Sequence, residues 1–124
     1  MEHSDGVPNI QERTMEYALR AITLFRFLQK QKDGAARVLA RQYLRSATSV
    51  GANLVEAQSG ESRRDFIHKC SIAQKEARES HYWLTLMLRS ELVPATRLSG
   101  LLDETNQIIA ILTAIIVNAK RSNV

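Results

Sequence analysis

The sequence predicts an all-α protein, an antiparallel up-down-up-down four-helix bundle. Apolar residues recur at spacings of three and four along four long segments, the period of a helix with one buried face. Ala and Leu are the commonest residues at 14 each, and only two prolines interrupt the chain, which favours helix over sheet. The joins between segments are short, which makes consecutive helices antiparallel neighbours. A chain of 124 residues, 44% apolar and 24% charged, is one domain with one core, here residues 9–121 behind a flexible tail over 1–8.

The first helix is expected over residues 10–31. Met15, Ala18, Ile22 and Phe25 form its stripe, with Leu19 and Leu28 widening it, and Asp33-Gly34 supplies the stop because glycine accepts a left-handed backbone. The second helix covers about 35–58, with Ala40, Tyr43, Ala47, Val50, Leu54 and Ala57 inside. Gly51 in mid-helix costs about 1 kcal/mol relative to Ala, so a close helix approach is expected there. The third helix covers about 62–90 and opens on Ser62-Arg-Arg-Asp65, the form of a capping box. Its seam is Phe66, Cys70, Ala73, Ala77, Ser80, Leu84 and Met87. The fourth covers about 94–120, with Pro94 in its first turn, an apolar face from Leu101 to Ile116, and Lys120 and Arg121 complementing the dipole at its end.

Both central helices carry a second stripe beside the core seam. On helix two it is Ser46, Ser49, Asn53 and Glu56; on helix three it is Lys69, Ile72, Glu76, Glu79 and Trp83. Such a mixed polar and aromatic face fits a subunit interface or an ordinary half-buried boundary. Ile111 and Val117 add apolar surface off the main stripe of helix four.

The net charge is +4, and all of it falls within residues 35–90, where nine basic residues meet five acidic ones. Arg37, Arg41 and Arg45 stand four apart and make a ridge on helix two. Arg63 and Arg64 open helix three, where free backbone N–H groups also favour anions. These five arginines are the candidate nucleic-acid contacts, or else partners in salt bridges between subunits. No stacking aromatics of an RNA-reading motif accompany them, so binding would be to backbone and shape without sequence specificity.

Enzymatic chemistry finds little footing. The lone Cys70 excludes a disulfide framework. It stands on the core seam, and His68 points about 200° away around the helix, two steps of about 100°. No Glu has His three residues on, as a di-iron bundle requires. Glu76 and Glu79 could serve as acid and base in a cleft or accept hydrogen bonds from a cation such as Arg45. No phosphate loop or dinucleotide motif is present. The expectation is a non-enzymatic protein without catalytic residues, metal or cofactor. No apolar run follows a basic start in Met1–Pro8. The longest uncharged stretch, Thr105–Ala119, would reach only about 22 Å against the roughly 30 Å of a bilayer core. A cytoplasmic protein with no membrane partner is expected.

The stretches Leu44-Arg-Ser-Ala-Thr-Ser-Val-Gly-Ala-Asn-Leu-Val-Glu-Ala57, Ser62-Arg-Arg-Asp-Phe-Ile-His-Lys69, Ile72-Ala-Gln-Lys-Glu-Ala-Arg-Glu79 and Tyr82-Trp-Leu84 together resemble a known group. It is the bacterial four-helix-bundle family first noted as open reading frames in intervening sequences of 23S ribosomal RNA genes, distantly similar to accessory proteins of diversity-generating retroelements. The resemblance covers about residues 12–121. It implies a homopentamer around a central channel with no enzymatic activity, and more weakly a nucleic acid and a reverse transcriptase as partners. Five-fold repetition of the arginine clusters would multiply a modest charge into an annular basic field. The other reading is a protein-interaction scaffold with no nucleic-acid role.

Overall fold

Asn9 starts the first helix: its Oδ1 accepts the Glu12 N–H at 2.8 Å, one of the free donors every helix start must satisfy. In the computed structural model, which describes residues 9–121, four helices follow: α1 (Ile10–Gln29), α2 (Gly34–Gln58), α3 (Arg63–Arg89) and α4 (Ser99–Arg121). The N-terminal tail expected over residues 1–8 lies outside the described residues. Asp33 caps α2 through the Ala35 N–H at 2.8 Å, and Ser62 caps α3 through the Asp65 N–H at 3.0 Å.

Two boundaries differ from expectation. The first helix ends at Gln29 rather than 31, and no left-handed glycine stops it, because Gly34 is already the first residue of α2. The Arg37 guanidinium instead donates to the Gln31 carbonyl at 2.6 Å, closing the end of the first helix from the second. The fourth helix begins at Ser99, not at Pro94. Pro94 has an extended backbone, with ψ 139°, and leads into a single 3-10 turn over Ala95–Arg97, which brings Leu98 fully into the core.

The end of α3 carries a Schellman closure, with Leu92 N–H on the Met87 carbonyl at 3.3 Å and Glu91 N–H on that of Leu88 at 3.1 Å. Glu91 holds the left-handed position, φ 61°, where glycine is favoured. That conformation costs a residue with a Cβ about 1–2 kcal/mol, partly offset by the greater unfolded-state freedom of glycine. Glu91→Gly is therefore expected to stabilise the fold by about 0.5–1 kcal/mol, read as a higher midpoint in a urea melt.

Cross-helix contacts fit an up-down-up-down course. Early α1 meets the second turn of α4 through Arg13 and Glu104 at 2.7 Å, while Phe27 near the end of α1 lies under Arg97 of the 3-10 turn before α4. Ser46 of α2 meets Ser80 of α3 at 2.8 Å. Gln74 of α3 donates to Thr113 of α4 at 2.7 Å. The core seams expected for α2 and α3 are buried, except that Phe66 is only partly so. Along α4, Leu101, Ile108, Leu112 and Ile116 are buried, with Leu102, Ile109 and Ile115 partly so. By length and composition α4 is apolar enough to cross a membrane; here its buried stripe faces the bundle.

In α1 the core face is one residue out of step with expectation. Thr14, Tyr17, Ala21, Leu24 and Leu28 are buried, while Met15 and Leu19 are 57% and 50% exposed. Both stripes have helical period, and the more polar one turns inward because its hydroxyls find partners. Tyr17 Oη and Thr105 Oγ1 lie 2.6 Å apart, and Thr14 Oγ1 donates to the Ile10 carbonyl at 2.9 Å. Gly51 admits this face, since a Cβ there would lie 3.2 Å from Thr14 Oγ1.

Tyr43 packs edge-on against Tyr17 with ring centroids 6.3 Å apart. Burial is the main reason its phenol is pushed far above its ordinary pKa. Among the described residues its hydroxyl makes no hydrogen bond of normal geometry, although the Tyr17 hydroxyl is near enough to influence its ionisation. An unpaired buried donor costs about 1–3 kcal/mol. Tyr43→Phe keeps the ring and removes that cost, so a rise in melting temperature is expected.

Candidate functional site

The five arginines singled out from the sequence have different surroundings. Arg37 is partly buried and committed to the end of α1. Arg45 is bound on the outer face by two carboxylates of α3, Glu76 at 3.2 Å and Glu79. Arg63 is exposed and reaches the Ala119 carbonyl at 3.3 Å. Arg41 and Arg64 are exposed. The helix-two ridge thus divides into a helix stop, an exposed cation and an ion-paired clamp, and Arg63 and Arg64 lie at the opposite end of the bundle.

The second stripe closes on itself along the seam between α2 and α3. Glu56 pairs with Lys69 at 2.7 Å, and Trp83 Nε1 donates to Glu79 at 3.0 Å. Ser49 donates to the Arg45 carbonyl at 2.8 Å and Asn53 to the Ser49 carbonyl at 2.8 Å. Ser46 is fully buried. Arg45 first, then the Trp83 N–H, hold the Glu79 carboxyl below its ordinary pKa. A carboxylate held as an anion is the opposite of a raised general acid. The Cys70 thiol is fully buried and its pKa is raised by burial, which keeps it a poor nucleophile. Among the described residues no group of three His, Cys, Asp or Glu is placed to hold a metal ion.

Folding gathers positive charge at the end formed by the α1–α2 turn and the α3–α4 connection. Residues 20–41 and 89–103 hold eight basic and three acidic side chains, whereas the rest of the described chain holds nine and eight. Arg26, Lys30, Lys32, Arg89 and Arg97 of this end are exposed. Sequence order hides this pole, since Arg20 and Arg97 belong to segments that each sum to zero.

A second feature emerges from the shifted face of α1. Met15 and Ala18 on α1, with Thr48, Gly51, Ala52 and Val55 on α2, line an apolar groove of about 280 Å³. Met15 and Val55 are 57% and 60% exposed. The sequence signal was available: α1 is apolar over more than half its circumference, more than one core contact uses.

The fold recurs in a solved protein. The crystal structure of a protein of unknown function from the S23 ribosomal protein family of Bacteroides thetaiotaomicron VPI-5482 superposes with a TM-score of 0.81 at 38% sequence identity, over 87% of this chain and 98% of that one. No curated protein matches the chain. The model of the 23S rRNA-intervening sequence protein family matches residues 9–114, which spans α1, α2, α3 and most of α4. With fold and sequence in agreement along nearly the whole bundle, the chain belongs to the 23S rRNA-intervening sequence protein family.

Proposed function

We propose that this protein is a non-enzymatic, self-associating helical bundle that binds the phosphate backbone of RNA or DNA without sequence specificity. The observation that carries the reading is the basic pole, with an excess of five positive charges at one end of the bundle. Phosphate contacts of this kind supply affinity and release counterions, and they carry no base identity. Self-association supports it by repeating the pole in each subunit. The apolar α1–α2 groove is the face on which assembly rests, because the polar stripe between α2 and α3 has many of its hydrogen bonds made within one chain. Five copies is the number the family resemblance favours.

Fluorescence polarisation of a labelled mixed-sequence RNA and its DNA counterpart, at two salt concentrations, tests the binding. Expected are similar affinities for unrelated sequences and a steep loss with salt. Absence of binding at low salt would overturn this reading and favour a protein-interaction scaffold docking through the apolar groove. Light scattering tests the assembly: a mass near five times 14.0 kDa is expected, Met15→Glu/Leu19→Glu should reduce it, and a wild-type monomer would contradict it.

A further inference from the structure

The basic pole contains a cleft that neither helix forms alone. Arg20, Thr23 and Leu24 of α1 face Thr96 and Arg97 of the 3-10 turn and Leu101 of α4 across an open cavity of about 340 Å³. Leu24 and Leu101 are each 5% exposed and give the cleft an apolar floor. Arg97 lies over the Phe27 ring, its guanidinium carbon 3.6 Å from the centroid. Stacking occupies the face of the guanidinium and leaves its edge, which carries the N–H donors, free to point outward. Arg20 lies against Gly100, where an added Cβ would come within 2.9 Å of Arg20 Nη2. The glycine therefore makes room for the arginine on the wall of the cleft.

Among the described residues neither Arg20 nor Arg97 has a carboxylate within 4 Å. Glu16, one turn before Arg20 on α1, and Asp103, in the first turns of α4, make no ion pair with either. Arg13 by contrast has its own partner in Glu104. Two guanidiniums with no carboxylate partner among the described residues, the Thr96 hydroxyl and an apolar floor make a receptor for a compact oxyanion, and an arginine fork fits two phosphate oxygens at once.

Resting on the nucleic-acid reading above, we infer that the cleft between Arg20 and Arg97 holds a phosphodiester group of the bound strand and fixes its path across the basic pole. Arg20 and Arg97 donate to the non-bridging oxygens. Thr96 is the adjacent hydroxyl donor, whereas the Thr23 hydroxyl donates to the Leu19 carbonyl at 3.3 Å. The exposed Arg26, Lys30 and Arg89 carry the strand away from the cleft.

The test is a polarisation titration of a labelled 20-nucleotide RNA of mixed sequence over a salt series. It compares wild type, Arg20→Gln, Arg20→Gln/Arg97→Gln and Arg63→Gln/Arg64→Gln. The last pair removes the same charge from the opposite end. Circular dichroism and light scattering establish that each variant folds and assembles, and Arg20→Gln alone leaves the Phe27 stack intact. The double cleft variant is expected to bind about tenfold more weakly and to flatten the log K against log salt slope by about 1.4, with about 0.7 for Arg20→Gln. Arg63→Gln/Arg64→Gln should change affinity by less than about twofold, in keeping with contacts confined to the other pole. If wild type binds and the cleft variants match it, or if both pairs weaken binding equally, the cleft assignment fails while the broader reading stands. No binding by wild type overturns both. Inorganic phosphate added at constant ionic strength separates the sources of this chemistry. A strand-binding cleft keeps the RNA at millimolar phosphate, and release of the RNA there would assign the cleft to the free anion and overturn the inference.

Discussion

Leu84→Ala is expected to destabilise the protein by about 2–5 kcal/mol, the range for deleting a fully buried leucine and leaving a cavity. Leu84 is 0% exposed and sits on the α3 seam between Ser80 and Met87, which are also fully buried. Many of the buried positions on α2 and α3 are small, among them Ala40, Ala47, Ala77 and Ser80. Small side chains cannot swing in to fill a cavity, which keeps the cost from falling below that range. A domain of this size has about 5–15 kcal/mol of stability in total. A urea melt with an unchanged slope and a much lower midpoint is the expected record.

Arg45→Glu is expected to cost about 1–3 kcal/mol, mostly at low salt. The wild-type guanidinium bridges Glu76 and Glu79, and reversing its charge would set three carboxylates together on the α2–α3 seam. Arg45 is half exposed, so water and ions screen the repulsion and keep the cost well below that of a buried pair. The substitution also changes the acid limb of the stability curve. Glu79 titrates in the folded protein below its ordinary value, with Arg45 as the largest cause. Its contribution is complete above the unfolded carboxylate pKa of about 4.3 and is lost as pH falls through the lowered folded-state value. Removing Arg45 removes that cause, so the gap between variant and wild-type melts should be full at neutral pH, narrow as pH falls below about 4.3 and close only once pH has passed the lowered folded-state value.

The sequence stated the bundle clearly because α2 and α3 each have one unambiguous apolar stripe, and the buried residues follow it. In α1 two stripes of the same period lie one residue apart. Composition favoured the more apolar one, yet Tyr17 and Thr14 turned inward because Thr105 and a main-chain carbonyl satisfy their hydroxyls. The misjudged stripe remains informative, since Met15, Ala18 and Leu19 are what α1 presents outside the core. Pro94 misled for a local reason: a proline suited to a first helical turn here precedes a 3-10 turn, and α4 starts only after Leu98 is buried. The arginine ridge was legible as a ridge, and Arg45 was legible as a cation for Glu76 and Glu79, a pairing the structure shows; spacing along one helix carries no information on the Gln31 carbonyl that Arg37 reaches. Arg20 and Arg97 could not be paired by any local pattern, because only the antiparallel packing of α1 and α4 brings them to one cleft.

Hydrogen exchange followed by mass spectrometry, with and without saturating RNA at low salt, tests most directly whether the basic pole is where nucleic acid sits. Added RNA should slow exchange in peptides from residues 20–37 and 89–101, which cover the α1–α2 turn, the end of α3 and the start of α4. Protection confined to the α2–α3 turn and the end of α4, around residues 59–70 and 113–121, would place any bound strand at the opposite end and contradict the assignment.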